Sequence, residues 1–451
     1  MNKVRKLFYL LIISLASLSV TAQENHADIG DYTIKVTVDT VSRLLKVNLT
    51  MDVSNLTGHK IELIFTHRAR IDGIYLNQRH GKKDVSFQAF GVDSVCLTLP
   101  DNTNLSDKLT LFFDYSIPFD SVSGSTRCVH TLTRPEKWYP LLYNELSAHR
   151  ITVSLPMNYS ALSSGDMIKN IVNDKQKVMT WYDKNNFTCP LFFFKTDSLQ
   201  FVQKKSADKN IDFWFYSRDT IIQNGYTKIV CASFRYFYNL FEKDYPYHTY
   251  SFIEIPDYPA GSALGSLQIF GTTPLSDFNT YGMLYCLKPA AHEVAHEWWG
   301  VGRIHYKDKT NEDGVQFLRE SMTEYLTYMF IEQYWGADSL AKCLETANSY
   351  YKYYVNDTNE KLLFDIPQQF TTWEEAVVVY YKGPLIIHEI RKQMGDANWQ
   401  HFINRFYISY RNKYAGYNDF IKTLLVYDQN GAITETLNNY LKTKGFKEIK
   451  P

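Results

Sequence analysis

The stretch Pro289-Ala290-Ala291-His292-Glu293-Val294-Ala295-His296-Glu297-Trp298-Trp299-Gly300 decides how the rest of the chain is read. It has the marks of a helix, with proline suited to the first turn and glycine to the stop. At its centre lies His-Glu-x-x-His. Residues four apart on a helix sit one turn apart on the same face, so the imidazoles of His292 and His296 can converge on one ion at roughly 2.0–2.1 Å. Glu293 is offset sideways, toward the ion's open position. There it can take a proton from a water that zinc acidifies to a pKa of about 7, and pass it on to a leaving amine. The three fixed letters arise by accident in roughly one or two chains per hundred. The pattern therefore needs support from elsewhere, the plain alternative being a buried helix with core histidines.

A catalytic zinc takes three protein ligands and keeps one position open. A third histidine six residues after the second is one source, with a glycine three after it, but Trp299 and Gly302 occupy those places. A carboxylate on a following helix is the other. The helical run Leu318-Arg319-Glu320-Ser321-Met322-Thr323-Glu324-Tyr325 offers Glu320 and Glu324 on one face, and one of them is expected to bind.

The helix with its Glu-Trp-Trp-Gly tail, followed by Leu318-Arg319-Glu320 and a tyrosine at Tyr325, resembles the aminopeptidase N-type gluzincin family of zinc metallopeptidases. The resemblance implies one Zn2+ held by His292, His296 and Glu320, and a peptide or protein substrate. The 23 residues from Glu297 to Arg319 exceed the family's usual spacing, and the excess reads as a loop insertion around His305 to Gly314. Glu324 falls where such enzymes often have a carboxylate that orients a ligand imidazole, and it reads equally as a solvated helix charge. Tyr380-Tyr381-Lys382-Gly383 is similar to the family's Tyr-x-Lys-Gly motif, which implies that Tyr380 donates to the oxyanion. Tyr381 in that role, or both as packing residues, are the alternatives. Trp138-Tyr139-Pro140 and Ala148-His149-Arg150-Ile151-Thr152-Val153 resemble the family's N-terminal saddle domain, so the similarity spans most of the chain.

One departure stands out. The family carries Gly-x-Met-Glu-Asn along the cleft, where the glutamate holds the substrate's free α-amine. Here Gly261-Ser262-Ala263-Leu264-Gly265 stands in its place, and Leu264 cannot pair with an ammonium. Either Asp257 or Glu254 substitutes, or the enzyme accepts interior or blocked peptides. The strand can still bind an extended substrate by edge pairing. A protein that keeps the fold and captures peptides or a partner without turnover is the alternative reading.

Outward from the motif, residues 28 to 200 alternate apolar and polar, as in Tyr32, Ile34, Val36, Val38 and Val47, Leu49, Met51, the pattern of half-buried strands. From Pro289 onward nearly everything reads as helix. The fold class is multidomain α+β: an all-β sandwich or saddle over 23–205, with the polar stretch Gln203 to Asn210 as the boundary, then a thermolysin-like, mainly helical catalytic domain over 206–451. Residues 1–22 read as a cleaved secretory signal, basic to Lys6, apolar from Leu7 to Val20, and small at Ala22. Export to a periplasmic or extracellular space is expected, with no membrane span after cleavage and, since no cysteine precedes Cys96, no lipid anchor. Lys plus Arg equals Asp plus Glu at 48 each, which argues against a nucleic-acid partner. The six cysteines form no Cys-x-x-Cys and leave disulfide pairing open, and the sequence is silent on oligomeric state. The 34 Tyr and 28 Phe read mainly as core packing.

Overall fold

The alternation over the first half becomes a twisted sheet whose apolar positions all face one way. Along Asp28–Asp39 the side chains of Tyr32, Ile34, Val36 and Val38 are buried, while Asp31, Lys35 and Thr37 are exposed. The computed structural model describes residues 27–446 apart from 79–80, 123–127, 143–145, 187, 259–260, 273–276, 278–281 and 307–313, so the signal assigned to 1–22 lies outside the described residues. Eight strands pair in the order Asp166–Val172, Gln176–Asn186, Ser147–Pro156, Asp28–Asp39, Leu44–Ser54, Leu109–Pro118, Arg70–Gln78, Gly81–Asp84. Trp138-Tyr139-Pro140 pins this unit from inside. The Trp138 indole donates to the Cys189 carbonyl at 3.2 Å, the Tyr139 hydroxyl accepts from the Cys189 N–H at 2.9 Å, and the Tyr32 hydroxyl donates to the Pro140 carbonyl at 2.9 Å.

A second, five-stranded sheet opens the second unit. Its strands are β1 (Gln200–Ser206), β2 (Lys209–Phe215), β3 (Thr249–Ile255), β4 (Gly261–Ala263) and β5 (Leu267–Gly271), in the order β1-β2-β3-β5-β4. The polar stretch from Gln203 to Asn210 is thus not a linker. Ser206 pairs with Lys209 across a two-residue turn in which Ala207 has φ +54°, so the passage between the units lies ahead of Gln200 rather than at residue 205. Polarity misled there because the face of this edge hairpin is solvated.

Helices α1 (Thr220–Leu240) and α2 (Met283–Ala295) lie against one face of this sheet, and α3 (Met322–Trp335), α4 (Ala337–Tyr354) and α5 (Gly383–Met394) pack beyond them. The opposite face, through Ile253, Ile255, Leu267 and Ile269, packs on Val129, Leu162, Phe192 and Phe194 of the three-stranded sheet of the first unit. The architecture is therefore a β-rich N-terminal unit docked on a mainly helical one. Hydrogen bonds close the same seam: the Tyr247 hydroxyl donates to Asp183 Oδ1 at 2.7 Å, and the Gly165 N–H to Ser266 Oγ at 2.7 Å. No helix among the described residues is long and apolar enough to cross a membrane.

Candidate active site

The motif helix α2 begins at Met283, so Pro289 lies inside it rather than in its first turn. The missing N–H costs one rung of the ladder, which burial of Cys286, Leu287, Ala290, Ala291 and Val294 outweighs. His292 and His296 come out on one face with ring centroids 4.7 Å apart and planes at 85°. The Glu-Trp-Trp-Gly tail then turns back on the helix. The His296 Nδ1–H donates to the Trp299 carbonyl at 2.9 Å, and the Trp299 indole donates to the Leu318 carbonyl at 2.8 Å, two residues before Glu320. Gly300, at φ +91°, permits the turn.

Glu320 and Tyr380 each sit in a π-helical turn, Phe317–Ser321 running into α3 and Val378–Lys382 running into α5. A π turn carries an extra residue and rotates the helix beyond it, a local cost that recurs at functional sites. Neither turn is visible in a 3.6-residue pattern. The two are locked together: Ser321 Oγ donates to the Val379 carbonyl at 2.6 Å, and a Cβ on Gly383 would lie 2.0 Å from that same hydroxyl. The glycine of Tyr-x-Lys-Gly is therefore a packing requirement, and it delivers the Tyr380 hydroxyl to Glu320 Oε2 at 2.9 Å. Tyr381 points elsewhere, its ring stacked on Tyr350 at 5.1 Å.

His292 Nε2 and His296 Nε2 are each 3.4 Å from Glu320 Oε2, and one donor atom from each residue lies within 4.8 Å of the others. Donors at about 2.05 Å from a tetrahedral ion are roughly 3.3 Å apart, so the spacing suits zinc. The outer nitrogens are already committed, His292 Nδ1 to Glu324 Oε2 at 2.9 Å and His296 Nδ1 to the Trp299 carbonyl, which turns both Nε2 lone pairs inward. Glu324 is thus buried and paired on its other oxygen with Lys288, an ion pair that sequence reading passed over. Charge points the same way. Burial alone would push His292 down, yet the bonds to Glu320 and Glu324 carry it up to about 10. Burial would likewise raise Glu324, but Lys288 and His292 hold it down at about 2. The two carboxylates thus favour positive charge at this point of the site.

Beside the set, Glu293 is buried, and burial raises its pKa against the pull of the two imidazoles. It is clasped to β4: the Ala263 N–H donates to it, and a Cβ on Gly261 would meet its Cγ at 2.9 Å and its Oε1 at 3.0 Å. Gly261, Ser262 and Ala263 thus flank Glu293 on the edge strand of the sheet. Leu264 and Gly265 leave it. The Leu264 N–H donates to the Leu267 carbonyl at 2.8 Å around a two-residue turn with φ +69° at Gly265 and +47° at Ser266, and the Leu264 side chain packs into the apolar seam between the units. Glu254 faces away, its Oε2 taking the Ser217 N–H at 2.9 Å. Glu297, which sequence reading left unassigned, accepts the Ser266 N–H at 2.7 Å and so ties this turn to the motif helix. Of the loop insertion read around His305 to Gly314, residues 304–306 form a short strand paired with Lys413–Ala415, and 307–313 lie outside the described residues.

Residues 227–440 match the family model described as "Peptidase family M1 domain". The chain carries a peptidase family M1 domain. The motif resemblance to aminopeptidase N-type gluzincins therefore holds, and the chain is a zinc metallopeptidase by class. Solved structures share the M1 fold over nearly all of its length. A mutant M1 zinc metallopeptidase from Deinococcus radiodurans is 17% identical over 98% of this chain and 100% of that one, with a TM-score of 0.72. A mutant form bound to a Tyr-Ser-Ala substrate, from the same organism, is 17% identical over 97% and 98%, with a TM-score of 0.70. Legionella pneumophila aminopeptidase A in complex with aspartic acid is 14% identical, covering 94% of this chain and 50% of its own, with a TM-score of 0.73. At these identities the likeness is one of fold. No curated protein matches the chain.

Proposed function

We propose that this M1 chain is an exported peptidase that cuts peptide bonds with one zinc ion held by His292, His296 and Glu320, and that it does not select for a free α-amine. The supporting observation is that three separate segments, α2 and the two π turns, bring His292, His296, Glu320, Glu293 and Tyr380 to one point. When bound, the ion supplies Lewis-acid polarisation of a water and of the scissile carbonyl. Everything else belongs to the chain's own side chains. Glu293 takes the water's proton and returns it to the leaving amine. Its burial raises its proton affinity toward the range in which both transfers are feasible. Tyr380 donates a hydrogen bond to the oxygen that gains charge, and burial together with the Glu320 charge keeps its phenol protonated far into the alkaline range. The edge of β4 takes the substrate backbone in extended form. Leu264, turned into the seam, leaves no carboxylate at the place where the family pattern anchors an ammonium.

A digest of a peptide library with the mature chain, read by mass spectrometry and run on free and acetylated N-termini in parallel, tests both halves. Cleavage of the acetylated set at a comparable rate is the expected result. Stoichiometric zinc with no cleavage beyond a Glu293→Gln control would overturn the catalytic half, and cleavage confined to free N-termini the specificity half.

A further inference from the structure

The two oxygens of Glu320 have different neighbours. Oε2 lies 3.4 Å from Nε2 of each imidazole and takes the Tyr380 hydroxyl at 2.9 Å. Oε1 lies 3.0 Å from Nε of Arg319, and the two side chains are only 15% and 10% exposed, so water screens their attraction little. The guanidinium keeps its charge at any working pH. It is also held at its root. The Thr323 hydroxyl donates to the Arg319 carbonyl at 2.6 Å, and Gly300 packs so close that a Cβ there would stand 3.2 Å from Arg319 Cγ.

A carboxylate near a divalent ion can ligate through one oxygen or through both, and the second mode would fill the position that a reacting water needs. Resting on the zinc reading above, we propose that Arg319 is a positioning residue that keeps Oε1 off the ion, so that Glu320 ligates through Oε2 alone and the fourth position stays open. The chain thereby encodes ligation mode in the residue next to the ligand. Both residues lie in the same π turn, Phe317–Ser321.

The test loads the mature chain with cobalt(II) in place of zinc and compares wild type with R319Q, R319M and R319K. Visible d–d absorption separates the coordination numbers, being intense for four-coordinate and weak for five-coordinate cobalt. Wild type is expected to give the intense spectrum. In R319Q and R319M the absorption falls several-fold as the second oxygen joins, and retention of zinc against a competing chelator shifts by about tenfold or more. R319K keeps a cation in place and keeps the wild-type spectrum. R319M retains the aliphatic stem that packs on Gly300, so it reports even if R319Q folds poorly, and far-UV circular dichroism of the metal-free proteins verifies the fold of each. A neutral variant with the wild-type spectrum and zinc retention within twofold of wild type overturns the proposal while leaving the zinc reading intact. A wild-type chain that takes up no metal overturns both.

Discussion

The motif helix is flanked by two walls, and they are built on different terms. On one side stand the two π turns, whose side chains are fixed by named bonds: Trp299 to Leu318, Ser321 to Val379, Tyr380 to Glu320. On the other side stands β4, which touches Glu293 through the absence of a side chain at Gly261 and through one backbone N–H at Ala263. The first wall is where the sequence keeps to its family's pattern and the second is where it departs. The difference teaches that reaction and recognition are stored in separable parts of this fold. A ligand or oxyanion donor must sit within a few tenths of an ångström of its target. A backbone edge accepts many substrates in one geometry.

If that division is right, damage to the motif helix or to the first wall costs turnover and spares recognition. Glu293→Gln is expected to have the largest effect, a fall in kcat of about 10³-fold with zinc content unchanged, since it removes the proton carrier and keeps the shape. Single-turnover kinetics with metal analysis on the same sample check it, and a loss below about tenfold would break the assignment. Tyr380→Phe comes next at about 10²-fold in kcat, the scale for one oxyanion donor, with KM little changed. Tyr381→Phe is the control, and its effect stays within about twofold because that ring is spent on Tyr350.

The second wall is probed by Gly261→Ala. A methyl group there meets Phe270 Cε2 at 2.8 Å and Glu293 Cγ at 2.9 Å, so either the strand backs away from the helix or the base swings. A loss of about tenfold in kcat/KM is expected, with overpacking costing about 1–3 kcal/mol of stability, read by denaturant unfolding of the metal-free protein. An unchanged kcat/KM would mean that β4 does not line the reacting groups.

The meeting of the two histidines and the alternation of the first sheet were legible in the sequence. The i, i+4 histidines need only helical periodicity to meet, and the alternation of Tyr32, Ile34, Val36 and Val38 needs only a pleat. What escaped has physical causes. The helix start at Met283 was hidden because Pro289 is the strongest local start signal, and burial on both sides of it overrides that signal. The π turns were hidden because an inserted residue breaks the very period by which helices are read. Arg319 and Lys288 were passed over because a charge on a helix reads by default as solvated, and only packing shows that one faces Glu320 and the other Glu324. The choice between Glu320 and Glu324 shows the limit most clearly. Both share a face, both are buried, and both carry depressed pKa values. Their roles separate only because Glu320 meets the inward Nε2 atoms and Glu324 the outward Nδ1 of His292.

The smallest expected effect is the sharpest test of the comparison. Leu264→Glu restores the residue type that the family pattern places at the amine site, and if the two walls differed only by that one side chain, the variant would gain a preference for free N-termini. The geometry argues otherwise. Leu264 opens a two-residue turn, its half-buried side chain packs against the apolar seam, and the next residue is fixed by Asn186, whose Nδ2 would be 2.5 Å from a Cβ at Gly265. A carboxylate placed there enters the seam rather than the cleft, at a cost of roughly 1–3 kcal/mol for a polar group left without a partner. The ratio of cleavage rates for free and acetylated forms of one peptide is therefore expected to stay within about twofold of wild type, while the unfolding midpoint falls. A tenfold rise in that ratio, equivalent to about 1.4 kcal/mol of new ammonium binding, would show instead that the turn can re-aim residue 264 into the cleft and that recognition was lost by one substitution rather than by a rebuilt strand.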